Sequence, residues 1–512
     1  MTTHRSRTLL LILCAATVAS AFTATNTGAA SAQAGDGRSP APALDWQPCA
    51  RPDLGGPAHQ ECATLPVPLD YSDPAGPRLS LAVSRVRSER PAERRGVLMV
   101  LPGGPGGSGV QRLTQKGPAL QKSVGGVYDL VSFDPRGTGG STRAACELPA
   151  DDRHLTTLRS WPAPTGGIDA NIDRSRRTAE LCARNGGPAL RSFTSLNEVR
   201  DMELLRRALG ETKLSAWGTS YGAYIAASYA QKFPHRTDRW VIDSVADPNP
   251  ERLAQGWLRN TSQAVDDRFP DFASWASDPD RATDGEGPRL AETPARVRQL
   301  FLDLAARLDG SPRASTTPGV PLTGNRLRQA LHTALYSDGN FPALAKLIDD
   351  ARSTDPSVRP TLPPDVAGPL PDADAAVTIA VICNDVRWPR GRGAVDSYRR
   401  AVRSDRLAHP LTAGFPANIT PCSFWKWDPA EKPTRITDRG PANILMIQNR
   451  RDPSTPYFGA LKMREVLGER ARLVSVDGGG HGVYLGTGNT CANRTVTDYL
   501  LTGVRPRRDT DC

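Results

Sequence analysis

The chain has 512 residues, more than a typical single domain, so one enlarged domain or two is expected. Hydrophobic residues make up 38% and charged residues 23%, enough apolar material for a sizeable core, which excludes global disorder. The surplus of 64 Lys+Arg over 54 Asp+Glu, a net +10, is dispersed along the chain with no sustained basic run interleaved with aromatics, which argues against a nucleic-acid groove.

The chain opens with Arg5 and Arg7, the apolar stretch Thr8–Val18 and small residues up to Ala30-Ser31-Ala32. This is the pattern of a secretory signal over residues 1–34, removed from a secreted product, with an uncleaved anchor the weaker alternative; the apolar stretch is too short to span a bilayer as a stable helix, and no other run reaches the required ~20 residues. Residues 33–60 read as a surface arm. Leu79–Val86 alternates like an edge strand, and Gly96–Leu101 and Tyr128–Phe133 read as short buried strands. Residues 145–195 are polar and rich in turns. Asn197–Leu209 has helical spacing, Leu214–Trp217 reads as a strand, Ala223–Phe233 as a helix and Arg239–Asp243 as another buried strand.

After Asp247-Pro248 the rhythm changes to helical patches at Arg296–Leu308, Leu327–Tyr336, Phe341–Ala351 and Ala375–Cys383, separated by Pro/Asp/Gly-rich stretches. It resumes at Ile444–Gln448, a helix near Gly459–Leu467, and Arg472–Val476. The expectation is an α/β fold, a mostly parallel sheet covered on both faces, with residues 35–247 and 436–512 as the two parts of its core and 248–435 as a mainly helical cap insertion.

Removal of the signal takes Cys14 with it and leaves eight cysteines, an even number that reads as disulfides in an exported chain. Nearest-neighbour pairing, Cys49–Cys62, Cys146–Cys182, Cys383–Cys422 and Cys491–Cys512, keeps each bridge within one segment. No C-x-x-C or H-E-x-x-H occurs and the histidines are scattered singly, so no familiar metal site is offered.

The chemistry sits at the strand ends. A G-x-S-x-G string is weak alone in a chain with 46 glycines, but Gly218-Thr219-Ser220-Tyr221-Gly222 lies between a predicted strand and a predicted helix. There a serine can stand on a sharp turn with its oxygen exposed, so Ser220 is the expected nucleophile; an ordinary turn with a capping serine is the bland alternative. Its hydroxyl needs a base, and His481, in Gly478–Gly482, is the histidine directly after a strand and C-terminal to the serine. The acid that orients the imaidazole should follow a strand between the two: Asp452 fits, with Asp243 its rival and Asp247 third. The glycine-rich Leu101–Gly109 supplies an oxyanion hole, with Gly103 or Gly104 N–H as one donor and Tyr221 N–H as the other. A phosphate loop is the rival reading, but the Gly-Lys-Ser/Thr ending is missing.

These residues, with Asp134-Pro135-Arg136-Gly137-Thr138-Gly139, resemble the secreted tripeptidyl aminopeptidases, which belong with the proline iminopeptidases among α/β-hydrolase serine exopeptidases. The likeness spans about 96–250 and 440–485. It implies an α/β-hydrolase fold and a triad of Ser220, Asp452 and His481, acting on peptide substrates with a free N-terminus and requiring no metal or organic cofactor. Leu101-Pro102 stands where the proline iminopeptidases often carry a histidine, a departure that bears on proline selectivity. A carboxylesterase or lipase with the same triad is the main alternative; an acyltransferase and a non-catalytic binding protein are others. Within the cap, Asp385 follows an apolar stretch beside Cys383 and is the expected partner of the substrate amine, against a solvated acid at a helix end.

Overall fold

A computed structural model describes residues 42–49, 59–154, 158–251, 253–283 and 285–512. The signal segment, much of the arm and Cys14 lie outside them. The described strands form one ten-stranded sheet: β1 (Gln47–Pro48), β2 (Gln60–Pro68), β3 (Arg78–Val86), β4 (Val97–Leu101), β5 (Asp129–Phe133), β6 (Leu214–Thr219), β7 (Thr237–Asp243), β8 (Ile444–Arg451), β9 (Ala471–Gly479) and β10 (Thr510–Asp511). Their order is β1-β2-β3-β5-β4-β6-β7-β8-β9-β10. β5 through β10 pair in parallel, while β1, β2 and β3 are antiparallel to their neighbours.

The central strands are apolar on both faces because helices cover both. Val97, Met99 and Leu101 of β4 join one cluster, with helices Ser195–Ala208, Tyr221–Lys232 and Tyr457–Leu467. Leu98 and Val100 point the other way, into a cluster with helices Gly109–Ser123 and Thr490–Thr502. This is the sheet of an α/β-hydrolase. Leu79–Val86 is not an edge strand: β3 lies between β2 and β5, because Gln60–Pro68 supplies a further strand.

Residues between β7 and β8 build a helical layer. Helices Leu253–Ser277, Pro294–Gly310, Gly324–Ala334 and Phe341–Arg352 surround their own cluster, centred on Phe269, Phe272, Phe301 and Leu331. Helix Asp372–Asp385 instead buries Ala375, Ala376, Val377, Ile379 and Ala380 in the main cluster beside the sheet. The four nearest-neighbour disulfides form. Among the described residues no helix is long and apolar enough to cross a membrane.

Candidate active site

Strand order reverses around β4: the chain steps to β5 on one side, then crosses to β6 on the other. Such a switch point opens a crevice at the carboxyl ends of the strands. Leu101 pairs with Gly218, and Thr219 with Asp243, so β4, β6 and β7 end at one level and deliver their loops together.

Ser220 follows β6 directly and adopts φ 61° and ψ −125° before helix Tyr221–Lys232 begins. Positive φ is costly for a side chain with a Cβ and persists only where the surroundings impose it. Here its N–H donates to the Asp243 carbonyl at 2.9 Å, and the turn is packed too tightly for larger neighbours. A Cβ on Gly222 would sit 2.4 Å from the Leu101 carbonyl oxygen, and one on Gly218 would sit 2.3 Å from that of Gly222. The glycine loop after β4 closes on the serine: a Cβ on Gly103 would lie 3.0 Å from Ser220 Cβ. The loop is anchored by Asp134, whose carboxylate accepts from Ser108 Oγ at 2.6 Å, Val110 N–H at 3.0 Å and Gly140 N–H at 2.9 Å. Arg136, two residues on, is buried in a bidentate pair with Asp201 at 2.7 and 2.8 Å.

His481 stands just beyond β9, and its Nδ1 lies 3.0 and 2.9 Å from the two oxygens of Asp452. Asp452 is buried directly after β8, and its carboxylate also accepts from Ser454 N–H, Thr455 N–H and Thr455 Oγ1 at 2.8, 2.8 and 2.9 Å. These donors stabilise the carboxylate and fix its plane towards the ring. Asp243 has a different task. It is fully buried and accepts from Val483 and Tyr484 N–H at 2.9 and 3.0 Å, and from Trp217 Nε1 at 3.3 Å, fastening the loop behind His481. Burial pushes its carboxyl above the usual range, with these bonds opposing. Asp247 pairs with Lys462 at 2.7 Å on the outside.

Ser220, His481, Gly103, Gly104 and Tyr221 line one cavity of about 580 Å3, within the range of ~300–1,000 Å3 usual for small-ligand sites. The helical layer supplies Trp257, Thr261, Tyr336, Asp365 and Phe415 to its wall. Tyr336 meets the histidine twice: its carbonyl accepts His481 N–H at 2.9 Å, and its ring packs edge-on to the imidazole at 5.0 Å. His332, behind Tyr336, is buried and held well below the usual histidine range by desolvation, so it is neutral.

The structure does not bring Asp385 to this cavity. Its carboxylate accepts from Ser195 N–H at 2.9 Å and from Ser195 Oγ, capping helix Ser195–Ala208, and it borders a separate, smaller pocket. Desolvation outweighs those bonds and raises it to about 6. The physical reason is the end of its helix: Ile382, on the preceding turn, lines the cavity, whereas Asp385 turns to the N-terminus of helix Ser195–Ala208. Asp365, which does line the cavity and accepts from Thr333 Oγ1 at 2.7 Å, lies in a Pro/Asp-rich stretch with no periodic signal. Tyr336 and Asp365 were illegible because only tertiary folding brings them to the strand ends. Glu198 was also unforeseen: it accepts from Tyr221 Oη at 3.0 Å and is raised to about 8 by burial.

The chain is 31% identical over 484 residues to the tripeptidyl aminopeptidase of Streptomyces lividans, covering 92% of this chain and 86% of that one. It belongs to the tripeptidyl aminopeptidase-like α/β-hydrolases. The family model described as TAP-like protein matches residues 412–512, which carry Asp452 and His481. Serine protease Hip1 of Mycobacterium tuberculosis is similar at 28% identity over 92% of this chain and 91% of its own. Carboxylesterase B of the same species is similar at 27% over 92% and 90%. Among solved structures, a proline iminopeptidase from Mycobacterium smegmatis covers 86% of this chain and 93% of its own, at 15% identity and a TM-score of 0.33. As a member of this family the chain is a serine peptidase.

Proposed function

We propose that this serine peptidase is a secreted exopeptidase that releases tripeptides or other short peptides from a free N-terminus. The observation that carries the reading is His481, backed by Asp452, on the wall of the same cavity that Ser220 lines from its strained turn. Ser220 Oγ attacks the scissile carbonyl while His481 takes its proton, and Asp452 holds the imidazole in the tautomer whose outer nitrogen is free to accept. The N–H groups of Tyr221 and of Gly103 or Gly104 stabilise the tetrahedral oxyanion. His481 then returns the proton to the leaving amine as the C–N bond breaks, and water hydrolyses the acyl-enzyme by the same route. The helical layer over the cavity favours chain ends over folded interiors. Asp365, the carboxylate on its wall, suits a protonated amine, which needs a charged or polar partner when taken from water. The four disulfides support an oxidising, extracellular location.

The test is a panel of chromogenic amides of one to three residues, each with a free and an acetylated N-terminus. Free tripeptidyl amides should be cleaved best, and Ser220→Ala and His481→Ala should abolish turnover with the fold intact. The similarity to a protein named carboxylesterase keeps one alternative, ester hydrolysis by the same triad. Equal cleavage of free and acetylated amides, with faster turnover of esters lacking any amine, would favour it.

A further inference from the structure

Beside the nucleophile lies a pair of cations that the reaction above does not use. Arg112 and Lys116 stand four residues apart on helix Gly109–Ser123, hence on one face, and both line the cavity. Arg112 donates to Thr219 Oγ1 at 3.3 Å, immediately before Ser220, and its guanidinium lies 5.4 Å from the centre of the Trp217 ring. Lys116 donates to the Leu485 carbonyl at 2.9 Å, four residues past His481. Neither forms an ion pair with a described residue, and the buried Arg112 Nε–H has no acceptor. Their nearest acid by charge, Asp243, is committed to Val483, Tyr484, Trp217 and Ser244. Burial lowers both cations, and the charge of Arg112 lowers Lys116 further. Two desolvated like charges without a counterion are costly unless an anion arrives to pair them.

Their position says which part of a substrate that anion belongs to. The leaving amine must lie on the His481 side of Ser220 to receive its proton, and Arg112 and Lys116 span that side, from Thr219 to the loop after His481. We propose that Arg112 and Lys116 form a subsite for a carboxylate on the leaving fragment, so that peptides ending one or two residues past the cut are preferred. The subsite rests on the peptidase reading for its role in turnover, but its affinity for a carboxylate does not. A planar guanidinium with an ammonium beside it suits a carboxylate, and the shared chemistry covers a chain-terminal carboxylate or an acidic side chain next to the cut.

Two measurements on the intact protein test this. In the first, hydrolysis of p-nitrophenyl butyrate is inhibited by dialanine or by dialanine amide. The acid should inhibit at about tenfold lower concentration, the effect of one or two charge-assisted hydrogen bonds. In Arg112→Gln and Lys116→Gln the ratio should fall towards one, while Arg112→Lys, which keeps the charge, should retain most of it. In the second, kcat/KM is compared for tetra-alanine, its amide, and an amide whose last residue is aspartate. Preference for the first alone assigns a terminal carboxylate, and recovery by the third admits an acidic side chain. A ratio near one in wild-type inhibition overturns the subsite whatever the peptides do. A tenfold ratio there without cleavage of any tetrapeptide overturns the peptidase reading and leaves the subsite standing.

Discussion

Two buried aspartates end adjacent strands of the site, and their hydrogen bonds divide the work between them. Asp452 touches the imidazole, and both backbone N–H groups it accepts reach the single oxygen Oδ1 that an amide would keep, so Asp452→Asn should lower kcat by about four orders of magnitude, through the wrong tautomer, with a smaller change in melting temperature. Asp243 accepts from Ser244, from Trp217 and, with one oxygen each, from two N–H groups behind the histidine, so Asp243→Asn should lower the melting temperature by putting a donor where one of those N–H groups needs an acceptor. A dead Asp243→Asn enzyme beside an active Asp452→Asn enzyme would reverse the assignment. Glu198 gives a pH test. Its carboxyl is raised from an ordinary value near 4.5 to about 8, so the folded state holds a proton that the unfolded state releases. Stability from this group is full below pH ~4.5 and is lost as pH rises towards about 8. Glu198→Gln should therefore flatten the fall in melting temperature between pH 5 and 8. Ser220, Asp452 and His481 could be singled out in the sequence because each comes within a few residues after a short apolar run that reads as a buried strand. The tasks of Asp243, Tyr336 and Glu198 were not, since each is defined by a partner remote in sequence.

At the level of elements, the sharp turn into helix Tyr221–Lys232 tolerates no added bulk. Gly222→Ala would place a methyl 2.4 Å from the Leu101 carbonyl oxygen and force the start of helix Tyr221–Lys232 away from the end of β4. Activity should fall at least a hundredfold, because the glycine loop that moves with β4 carries Gly103 and Gly104, one of which is the proposed oxyanion donor. Arg136→Met leaves Asp201 buried without its partner and should cost about 3–5 kcal/mol by denaturant unfolding. The strands were readable wherever both faces are buried. β2 was not, because Pro66 and Pro68 interrupt its pattern and only pairing with β3 makes it a strand. Helix Gly109–Ser123 was hidden by Gly117 and Pro118, and helix Arg392–Ala408 by a narrow apolar stripe in which Tyr398 and Val402 are its buried residues. Both are held by tertiary contacts that propensity does not report.

Across the whole molecule, the cap and the sheet are less separate than the change of rhythm after Asp247-Pro248 suggested. Helix Asp372–Asp385 packs into the main cluster and is bridged by Cys383–Cys422 across 39 residues. Replacing both cysteines by alanine should lower stability by about 3–4 kcal/mol, read from the urea midpoint. The helical layer is also joined to His481, the proposed base, through the 2.9 Å bond from its N–H to the Tyr336 carbonyl. Were the layer to lift away as a body, that bond would break and the imidazole would lose the ring packed against it. A state open enough to admit a bulky chain is thus a state in which the base is loosened, and admission and chemistry exclude one another in time. Deuterium uptake at the single amide of His481 would count how often the molecule opens, with slow uptake marking a protein that stays shut between substrates.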